Sequence, residues 1–306
     1  MIRMARRGLL STTTIGLALG FLAASAAAAP DTYVSALGRD GGSCTRLRPC
    51  RTFAAALAAT DPAGTVLALD SGTFSTSSLL INQSVTIAAE PGVRAVLRPA
   101  SDSAVYVDGG ASDVVVLRGL SFIAPPGTAT PSSGIIYNSA EALYVEHCTI
   151  DGFPTKGLLV LDRNRLVVRD TVVRGARVGI SLDGPVHAAL DNVTIADSEF
   201  GVLSGLGAQA SIRNSLITGN GTGLLVDAGF ETVTAELSIE NCLITHNQTG
   251  VEVRTANSTG RLSNSTVTNN GVGAHASGGV LETRGNNTIR GNGTNVSGTL
   301  TPVSGE

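Results

Sequence analysis

Apolar and polar residues alternate along short stretches of this chain, and each stretch ends at an asparagine or a glycine. Between Ala210 and Asp227 the apolar residues fall on one side of three short strands, with a period of two residues. The strands break at Asn214 and again at Gly219–Gly221. A helix would instead space its apolar residues three or four positions apart. We therefore predict short β-strands.

The pattern repeats through the C-terminal two-thirds of the sequence. A polar column recurs at intervals of 22 to 27 residues, and its members are His147, Asp170, Asn192, Asn214, Asn241, Asn264 and Asn286. An Ile or Val stands three positions after each member, and a glycine column follows in most copies. A repeat of this length is typical of a solenoid, in which each copy forms one turn and packs on the next.

Short strands separated by Asn and Gly corners favour a parallel β-helix. Both residue types tolerate the left-handed backbone conformation that a sharp corner needs. Strands this short cannot form long hairpins, but each can pair with its equivalent one turn along. A left-handed β-helix would need a six-residue repeat, which the sequence does not show. The predicted fold class is all-β, a parallel β-helix.

The repeats resemble the right-handed parallel β-helices of the pectate-lyase-like superfamily. The N-terminal segment is similar to the opening of that superfamily at Arg51–Leu57, Pro62–Val66, Ser71–Phe74 and Ser84–Ile87. The resemblance covers roughly Asp31–Ser297. It implies a right-handed solenoid whose enzymes bind substrate along the sheet after the glycine column. It implies no single activity, because this scaffold supports lyases, hydrolases, epimerases, adhesins and inert proteins.

Four segments are predicted along the chain. Residues 1–28 have the arginines, the apolar run and the Ala26–Ala28 cleavage site of a signal peptide, of either ordinary or twin-arginine type. Residues 31–62 form an N-terminal cap with one short helix, residues 63–297 form the β-helix, and residues 298–306 form a frayed tail. No later apolar run is long enough to cross a membrane. We therefore expect a secreted or periplasmic protein without a transmembrane segment.

Composition and charge narrow the function classes. The formal net charge is −3, which gives none of the basic field that nucleic-acid-binding proteins use. We therefore expect no nucleic-acid partner. The 37 glycines and the absence of Trp suit small stacked turns better than one large globular core.

The four cysteines fall into two pairs with different expected fates. Cys44 and Cys50 lie close together before the predicted helix, and in an exported chain such a pair most simply forms a disulfide. The alternative is a metal pair, but no further ligands lie nearby, and we predict no metal site. Cys148 and Cys242 stand four turns apart in one column, about 19 Å at ~4.8 Å per turn. That distance exceeds the reach of a disulfide, so we predict two free thiols.

A column of charges precedes the polar corner column. Its members alternate in sign up one face of the predicted solenoid and are Arg118, Glu146, Arg169, Asp191, Arg213, Glu240 and, without a charge, Ser263. One interpretation is a binding strip for a charged polymer. The other is a ladder of ion pairs that fixes the register between turns. Alternation of sign favours the ladder, because it cancels the field that a charged polymer would experience.

The strand after the glycine column carries the predicted binding surface. Its outward positions are mostly apolar, and they are Tyr106, Ile136, Leu159, Ser181, Leu203, Leu225, Glu252 and His275. We predict that Tyr106, Ile136, Leu159, Leu203 and Leu225 form an apolar stripe for a polysaccharide or protein partner. A bare stripe of this size would be unusual on a monomer, so we expect a loop or a partner to cover it.

Candidate catalytic residues lie beside this stripe, and they are Asp183, Asp227, Glu252, Arg254 and His275. Asp183 and Asp227 are two turns apart, about 10 Å, which is at or beyond the ~6.5–9.5 Å spacing of inverting glycosidases. The group Asp227, Glu252 and Arg254 is the nearest match to the acidic ligands and basic residue of calcium-dependent lyases. Calcium is therefore the one cofactor under consideration, and only for a lyase. His275 beside Glu252 is either a surface pair or an acid/base couple.

Two functional hypotheses remain. In the first, the chain is an exported, non-catalytic protein that binds a glycan or a protein, or has a structural role in the envelope. In the second, it is a polysaccharide lyase or glycoside hydrolase that acts on an acidic polysaccharide. The resemblance implies that hydrolases of this fold carry paired aspartates within one turn, a Gly-His-Gly and an Arg-x-Lys, and the sequence has none of them. We favour the first hypothesis, because the fold is specified without any activity motif.

Overall fold

The computed structural model of the protein describes residues 29–127, 129, 132–161, 165–229 and 232–304. The predicted signal peptide, residues 1–28, lies outside these residues. Each turn of the described chain passes through three parallel sheets, which we call sheet 1, sheet 2 and sheet 3 in chain order. Every strand pairs with the equivalent strand of a neighbouring turn, so the predicted parallel β-helix is confirmed.

Sheet 1 contains twelve of the described strands, and strands are numbered in chain order throughout the protein. Its members are β1 (Ala29–Val34), β2 (Thr60–Ala68), β5 (Val85–Ala89), β8 (Val114–Arg118), β11 (Ala142–Glu146), β14 (Arg165–Arg169), β17 (His187–Asp191), β20 (Gln209–Arg213), β23 (Ala235–Glu240), β26 (Ser258–Ser263), β29 (Val280–Thr283) and β32 (Leu300–Pro302).

Sheet 2 contains ten short strands in the described part of the chain, each following a corner after sheet 1. They are β3 (Gly72–Thr76), β6 (Ala95–Pro99), β9 (Leu120–Ile123), β12 (Thr149–Asp151), β15 (Val172–Arg174), β18 (Thr194–Ala196), β21 (Leu216–Thr218), β24 (Leu243–Thr245), β27 (Thr266–Thr268) and β30 (Thr288–Ile289).

Sheet 3 contains the strands at the predicted glycine column, and the described residues give it ten strands. They are β4 (Leu79–Ile81), β7 (Ser103–Asp108), β10 (Ser133–Ser139), β13 (Lys156–Val160), β16 (Val178–Leu182), β19 (Phe200–Gly205), β22 (Thr222–Asp227), β25 (Thr249–Val253), β28 (Val272–Ala276) and β31 (Thr294–Ser297).

The corner between sheets 1 and 2 depends on the polar column. Asn192, Asn214 and Asn241 all have φ of 52°, in the left-handed region that asparagine tolerates. Their side chains also stack along the solenoid, because the Asn241 amide donates to Asn214 Oδ1 at 2.7 Å. The same residue type therefore makes the bend and links one turn to the next.

A second asparagine ladder lies inside the corner between sheets 2 and 3. It consists of Asn220, Asn247, Asn270 and Asn292, and each amide Nδ2 donates to the Oδ1 of the next residue or to a nearby carbonyl. The first three side chains are buried. Buried amides are stable only when their hydrogen bonds are made, and this stacking makes them. From the sequence, Asn220 within Gly219–Gly221 marks only a break between two strands.

The core fills the space between the three sheets with small and branched side chains. Inward residues such as Ile212, Ile217 and Leu224 of one turn are fully buried. Tyr137 is also fully buried, and its hydroxyl donates to the Ala140 carbonyl at 3.0 Å. Each turn therefore buries its apolar residues against the turns on either side, as a solenoid requires.

The N-terminal cap has the predicted helix and the predicted disulfide. The helix α1 (Phe53–Ala58) buries Phe53, Ala56 and Leu57 over the first turn, and Thr52 Oγ1 caps it by accepting from the Ala55 amide. Cys44 and Cys50 form a disulfide. No helix in the described residues has the length and apolar character of a membrane-spanning segment.

Cys148 and Cys242 are free and buried, as predicted. Burial raises the pKa of the Cys148 thiol to about 12 and that of Cys242 to about 11. Only the thiolate is strongly nucleophilic, so both side chains are inert apolar residues at neutral pH.

The C-terminal end differs from the predicted frayed tail. Leu300–Pro302 forms β32 and pairs with β29, and the Val303 amide donates to the Thr283 carbonyl at 2.9 Å. The physical reason is that the last strand of a sheet offers unpaired backbone groups, which a following strand can satisfy. Sheet 1 therefore continues beyond residue 297.

Candidate functional site

The register of sheet 3 aligns the predicted outward column. Successive strands pair at Tyr106, Ile136, Leu159, Ser181, Leu203, Leu225, Glu252 and His275. Because the turns repeat without slipping at these positions, each side chain lies beside its counterpart one turn away. The column also extends to Leu80, which pairs with Tyr106. The sequence analysis did not include Leu80, since the first turn lacks the asparagine corner.

The stripe is not uniformly exposed. Leu80 is 53% exposed, and Tyr106, Ile136, Leu159 and Leu203 are half-buried. Leu225, by contrast, is only 2% exposed. It lies between Leu203 and Glu252 on the adjacent strands, about 4.8 Å away on each side. The prediction that Leu225 belongs to an open binding surface therefore needs correction. The continuous accessible apolar segment runs from Leu80 to Leu159, and Leu203 lies beyond it on the other side of Ser181.

A buried polar group interrupts the stripe at Ser181. The Ser181 side chain is fully buried, and its hydroxyl donates to Asp183 Oδ1 at 2.7 Å. The other oxygen of Asp183 binds the ammonium of Lys156, and only 21% of Lys156 and 20% of Asp183 are exposed. The negative charge of Asp183 is thus already balanced by the ammonium of Lys156. The sequence did not reveal this partner, because Lys156 lies 27 residues away and reaches Asp183 from the previous turn.

Three of the predicted catalytic residues come together at the other end of sheet 3. The Arg254 guanidinium donates to both oxygens of Glu252, at 3.1 and 3.2 Å, and to Asp227 Oδ2 at 3.4 Å. Asp227 Oδ1 accepts from the Gly229 amide at 3.0 Å. Glu252 is only 9% exposed, whereas the Arg254 side chain is 43% exposed, so the carboxylate of this bidentate pair is covered and the guanidinium reaches solvent. We call these three side chains the arginine network.

His275 and Ser277 lie next to the arginine network. His275 Nδ1 is 4.0 Å from Glu252 Oε1, too far for a hydrogen bond. Ser277 Oγ is 3.5 Å from the same oxygen. The predicted couple of His275 and Glu252 therefore lie together as neighbours, but Glu252 takes its short hydrogen bonds from Arg254.

The charges of the arginine network are paired with one another, Arg254 with Glu252 and Asp227. Hydrogen bonds to Glu252, with its charge and that of Asp227, raise the pKa of Arg254 above its usual value. A raised pKa makes the guanidinium a weaker acid, so it keeps its proton. The donor set does not fit calcium, because both carboxylates face a cation already. The described residues contain no group of three or more His, Cys, Asp or Glu side chains arranged to hold a metal ion.

The predicted pair of Asp183 and Asp227 has separate partners. Each carboxylate faces a different cation, Lys156 for Asp183 and Arg254 for Asp227. A water held between the two carboxylates stays a prediction.

The charge column on sheet 1 forms ion pairs between turns. Arg118 binds Glu146 at 2.8 Å, Arg169 lies 3.9 Å from Glu146, and Arg213 binds Asp191 at 3.0 Å. The arginines are more than half or half exposed, so each pair contributes little to stability. The ladder interpretation agrees with these contacts.

With the fold and these contacts in place, comparison with known proteins defines the class. Residues 133–293, which are 161 of the 306 residues, match the family described as right handed beta helix region. The chain therefore belongs to the right-handed β-helix family, as the repeats predicted. No curated protein matches the sequence.

Solved structures show the same fold at low sequence identity. XylC in complex with xylose aligns with a TM-score of 0.63 and 9% identity, over 84% of this chain and 69% of XylC. Pectate lyase Pel9A gives 0.48 and 15%, over 90% and 77%. The A-module of mannuronan C-5 epimerase AlgE4 from Azotobacter vinelandii gives 0.44 and 13%, over 79% and 91%. The XylC alignment shows a shared fold alone, and none of the three alignments assigns an activity to this chain.

Proposed function

We propose that this chain is an exported, non-catalytic β-helix protein that binds a macromolecular partner on the outer face of sheet 3. One observation carries the proposal: each predicted catalytic carboxylate already faces a cation of the same chain. Asp183 binds Lys156, while Asp227 and Glu252 bind Arg254. General acid/base chemistry needs a group that can exchange its proton with substrate. The pairs Lys156–Asp183 and Arg254–Asp227 instead link adjacent turns, and Arg254–Glu252 is a pair within one turn.

Export is supported by the chemistry of the cap. The Cys44–Cys50 disulfide lies at the N-terminal end of the solenoid. Disulfides persist in oxidising compartments and are rare in the cytosol. The sequence pattern of residues 1–28 is consistent with the same route.

The partner surface is the apolar segment of sheet 3. Leu80, Tyr106, Ile136 and Leu159 stand on four successive strands, and each keeps part of its side chain accessible. Burying a large apolar side chain completely is worth about 1.5–3 kcal/mol. Three of the four residues are aliphatic, which suits the apolar side chains of a protein better than the hydroxyl-rich surface of a glycan. A protein is therefore the partner that this segment fits best.

Photocrosslinking in the producing cell tests this proposal. A benzophenone amino acid replaces Tyr106 on sheet 3, and the control replaces Thr218, a half-buried residue on sheet 2. We expect a discrete protein adduct from position 106 and none from position 218. A protein adduct at both positions, or at neither, would contradict the assignment of the partner to sheet 3. Turnover of a polysaccharide by the purified chain would contradict the non-catalytic part.

A further inference from the structure

A groove runs parallel to the solenoid axis on the outer face of sheet 1. Its floor is a column of short side chains that pair in register, and they are Val167, Ala189, Ser211 and Ser238. Ala189 and Ser211 are exposed, and the other two are half-buried. The column continues into Tyr144 at one end and Arg261 at the other. These larger residues bound a floor about 24 Å long, at ~4.8 Å per strand.

Two rows of longer polar side chains stand on either side of this floor. One row consists of Arg165, His187, Gln209 and Glu236, and the other of Arg169, Asp191, Arg213 and Glu240. Open cavities of about 430 Å³ and 310 Å³ lie along the two rows and share the four floor residues. The rows and the floor together form one elongated depression on a sheet face that the arginine network does not touch.

The charges of both rows are balanced by ion pairs. Arg165 binds Glu141 at 3.2 Å, Arg213 binds Asp191 at 3.0 Å, and Arg169 lies 3.9 Å from Glu146. An anionic polymer therefore meets as many carboxylates as guanidinium groups and gains little attraction. A neutral hydroxyl can use both, since it donates to a carboxylate and accepts from a guanidinium. The side chains of His187 and Gln209 have no hydrogen bond to another described residue, so their polar atoms are available as well.

An extended peptide cannot bind in this groove by adding a strand to the sheet. The strands under the floor, β14, β17, β20 and β23, are interior members of sheet 1 and already pair on both sides. Strand addition needs a free edge, and these strands have none. A chain lying on this face must therefore bind through side chains alone. Sugar rings suit that geometry, because their C–H faces pack on a flat floor while their hydroxyl groups point sideways to polar rows.

We propose that this groove binds a neutral, extended polysaccharide that lies along the solenoid axis between Tyr144 and Arg261. Tyr144 supplies an aromatic face at one end, where a sugar ring can stack. The ligand class follows from the balanced charges and the small floor, and the site is separate from the partner surface on sheet 3. The two proposals can therefore fail independently.

Affinity electrophoresis of the purified mature chain tests the groove. The gels contain arabinoxylan, galactomannan or hydroxyethylcellulose as neutral polymers, and polygalacturonate or alginate as acidic ones. We expect retardation by at least one neutral polymer. Ser211→Phe fills the middle of the floor at an exposed position and should weaken that binding about tenfold or more. The matched control, Thr218→Phe, adds the same bulk to sheet 2 in the same turn and should bind as the wild type does.

One further variant and a series of shorter ligands sharpen the test. Gln209→Ala removes a polar group from one row without adding bulk, and it should weaken binding to a smaller extent than Ser211→Phe. Neutral oligosaccharides of increasing length should bind more tightly until they span the floor and then reach a plateau. The proposal is overturned if no neutral polymer retards the chain, if Ser211→Phe binds normally while folded by circular dichroism, or if only acidic polymers bind.

Discussion

The outer faces of sheets 3 and 1 are built on the same turns but place their charges differently. On sheet 3, a few charges are drawn into shielded pairs beside an apolar stripe, with Glu252 and Asp183 largely covered. On sheet 1, arginines that are half or more exposed stand in rows on either side of a small-residue floor, although their partners Glu146 and Asp191 are largely covered as well. The backbone is equivalent in both, so the outward side chains alone determine the difference. In this solenoid, a charged residue cannot be given a catalytic role from the sequence until its ion-pair partner in the fold is known.

The largest difference between the two faces should be in the loss of stability when a central outward side chain is truncated. Leu225→Ala on sheet 3 removes a 2%-exposed side chain and should lower the free energy of unfolding by about 2–3 kcal/mol. Val167→Ala on sheet 1 removes a half-buried side chain and should cost about 1 kcal/mol or less. Urea unfolding of both variants measures the contrast. Equal losses would mean that the stripe at Leu225 is as open as the floor of sheet 1.

Breaking the arginine network should lower the free energy of unfolding more than breaking one ion pair of the charge column. Arg254→Met leaves the buried Glu252 carboxylate without its main partner, which should cost about 2 kcal/mol. The matched variant on sheet 1, Arg213→Met, breaks a pair whose arginine is 59% exposed and should cost below about 1 kcal/mol. Thermal unfolding compares the two. A larger loss for Arg213→Met would reverse the comparison.

Lys156 should show the same contrast on a smaller scale. Lys156→Met removes the cation that faces Asp183 and should lower the free energy of unfolding by about 1–2 kcal/mol. Arg177→Met breaks the exposed pair with Glu199, and its effect should stay within about 0.5 kcal/mol. If 1 M NaCl, monitored in the same unfolding assay, weakens the wild type by the full Lys156 effect, the pair is open to solvent and this account of it is wrong.

The smallest effect should be a pH dependence on sheet 1. The Asn214 amide, followed by Arg213, lowers the pKa of Asp191 below its usual value of 3.8. A lowered pKa stabilises the fold above the usual value, and the contribution is lost as the pH falls through the lowered pKa. Asn214→Gly keeps the left-handed corner and removes the amide, so the pKa of Asp191 should rise towards 3.8. Carboxyl-detected NMR titration measures the pKa of Asp191. The control is Asn264→Gly, two turns from Asn214 in the same left-handed corner column, and it should leave the pKa of Asp191 unchanged.

Much of the fold could be predicted from the sequence because a solenoid turns sequence spacing directly into spatial columns. Once Asn192, Asn214 and Asn241 were aligned, the outward column of sheet 3 followed, and the register confirms it at every turn from Tyr106 to His275. The C-terminal strand Leu300–Pro302 escaped prediction because three residues, Leu-Thr-Pro, are too few to show a repeat.

The site was less predictable, because its chemistry depends on how far side chains reach. The sequence brought Asp227, Glu252 and Arg254 together correctly, since all three lie in neighbouring turns. It did not show that Lys156 reaches Asp183, nor that Leu225 is closed off. The floor of sheet 1 was missed for another reason. Residues such as Ala189 and Ser211 form no motif. They are recognised as the floor of a groove only once the longer polar side chains on either side are placed by the fold.

A product assay on the purified chain tests the central claim most directly. The chain is incubated with polygalacturonate, alginate and arabinoxylan, with and without calcium. Ultraviolet absorbance reports the unsaturated product of a lyase, and a reducing-end assay reports a hydrolase. The account predicts no product on any of these substrates, because Asp183, Asp227 and Glu252 all face cations of their own chain. Product that forms with the wild type and disappears with Glu252→Gln or Asp227→Asn would contradict it and make the arginine network an active site.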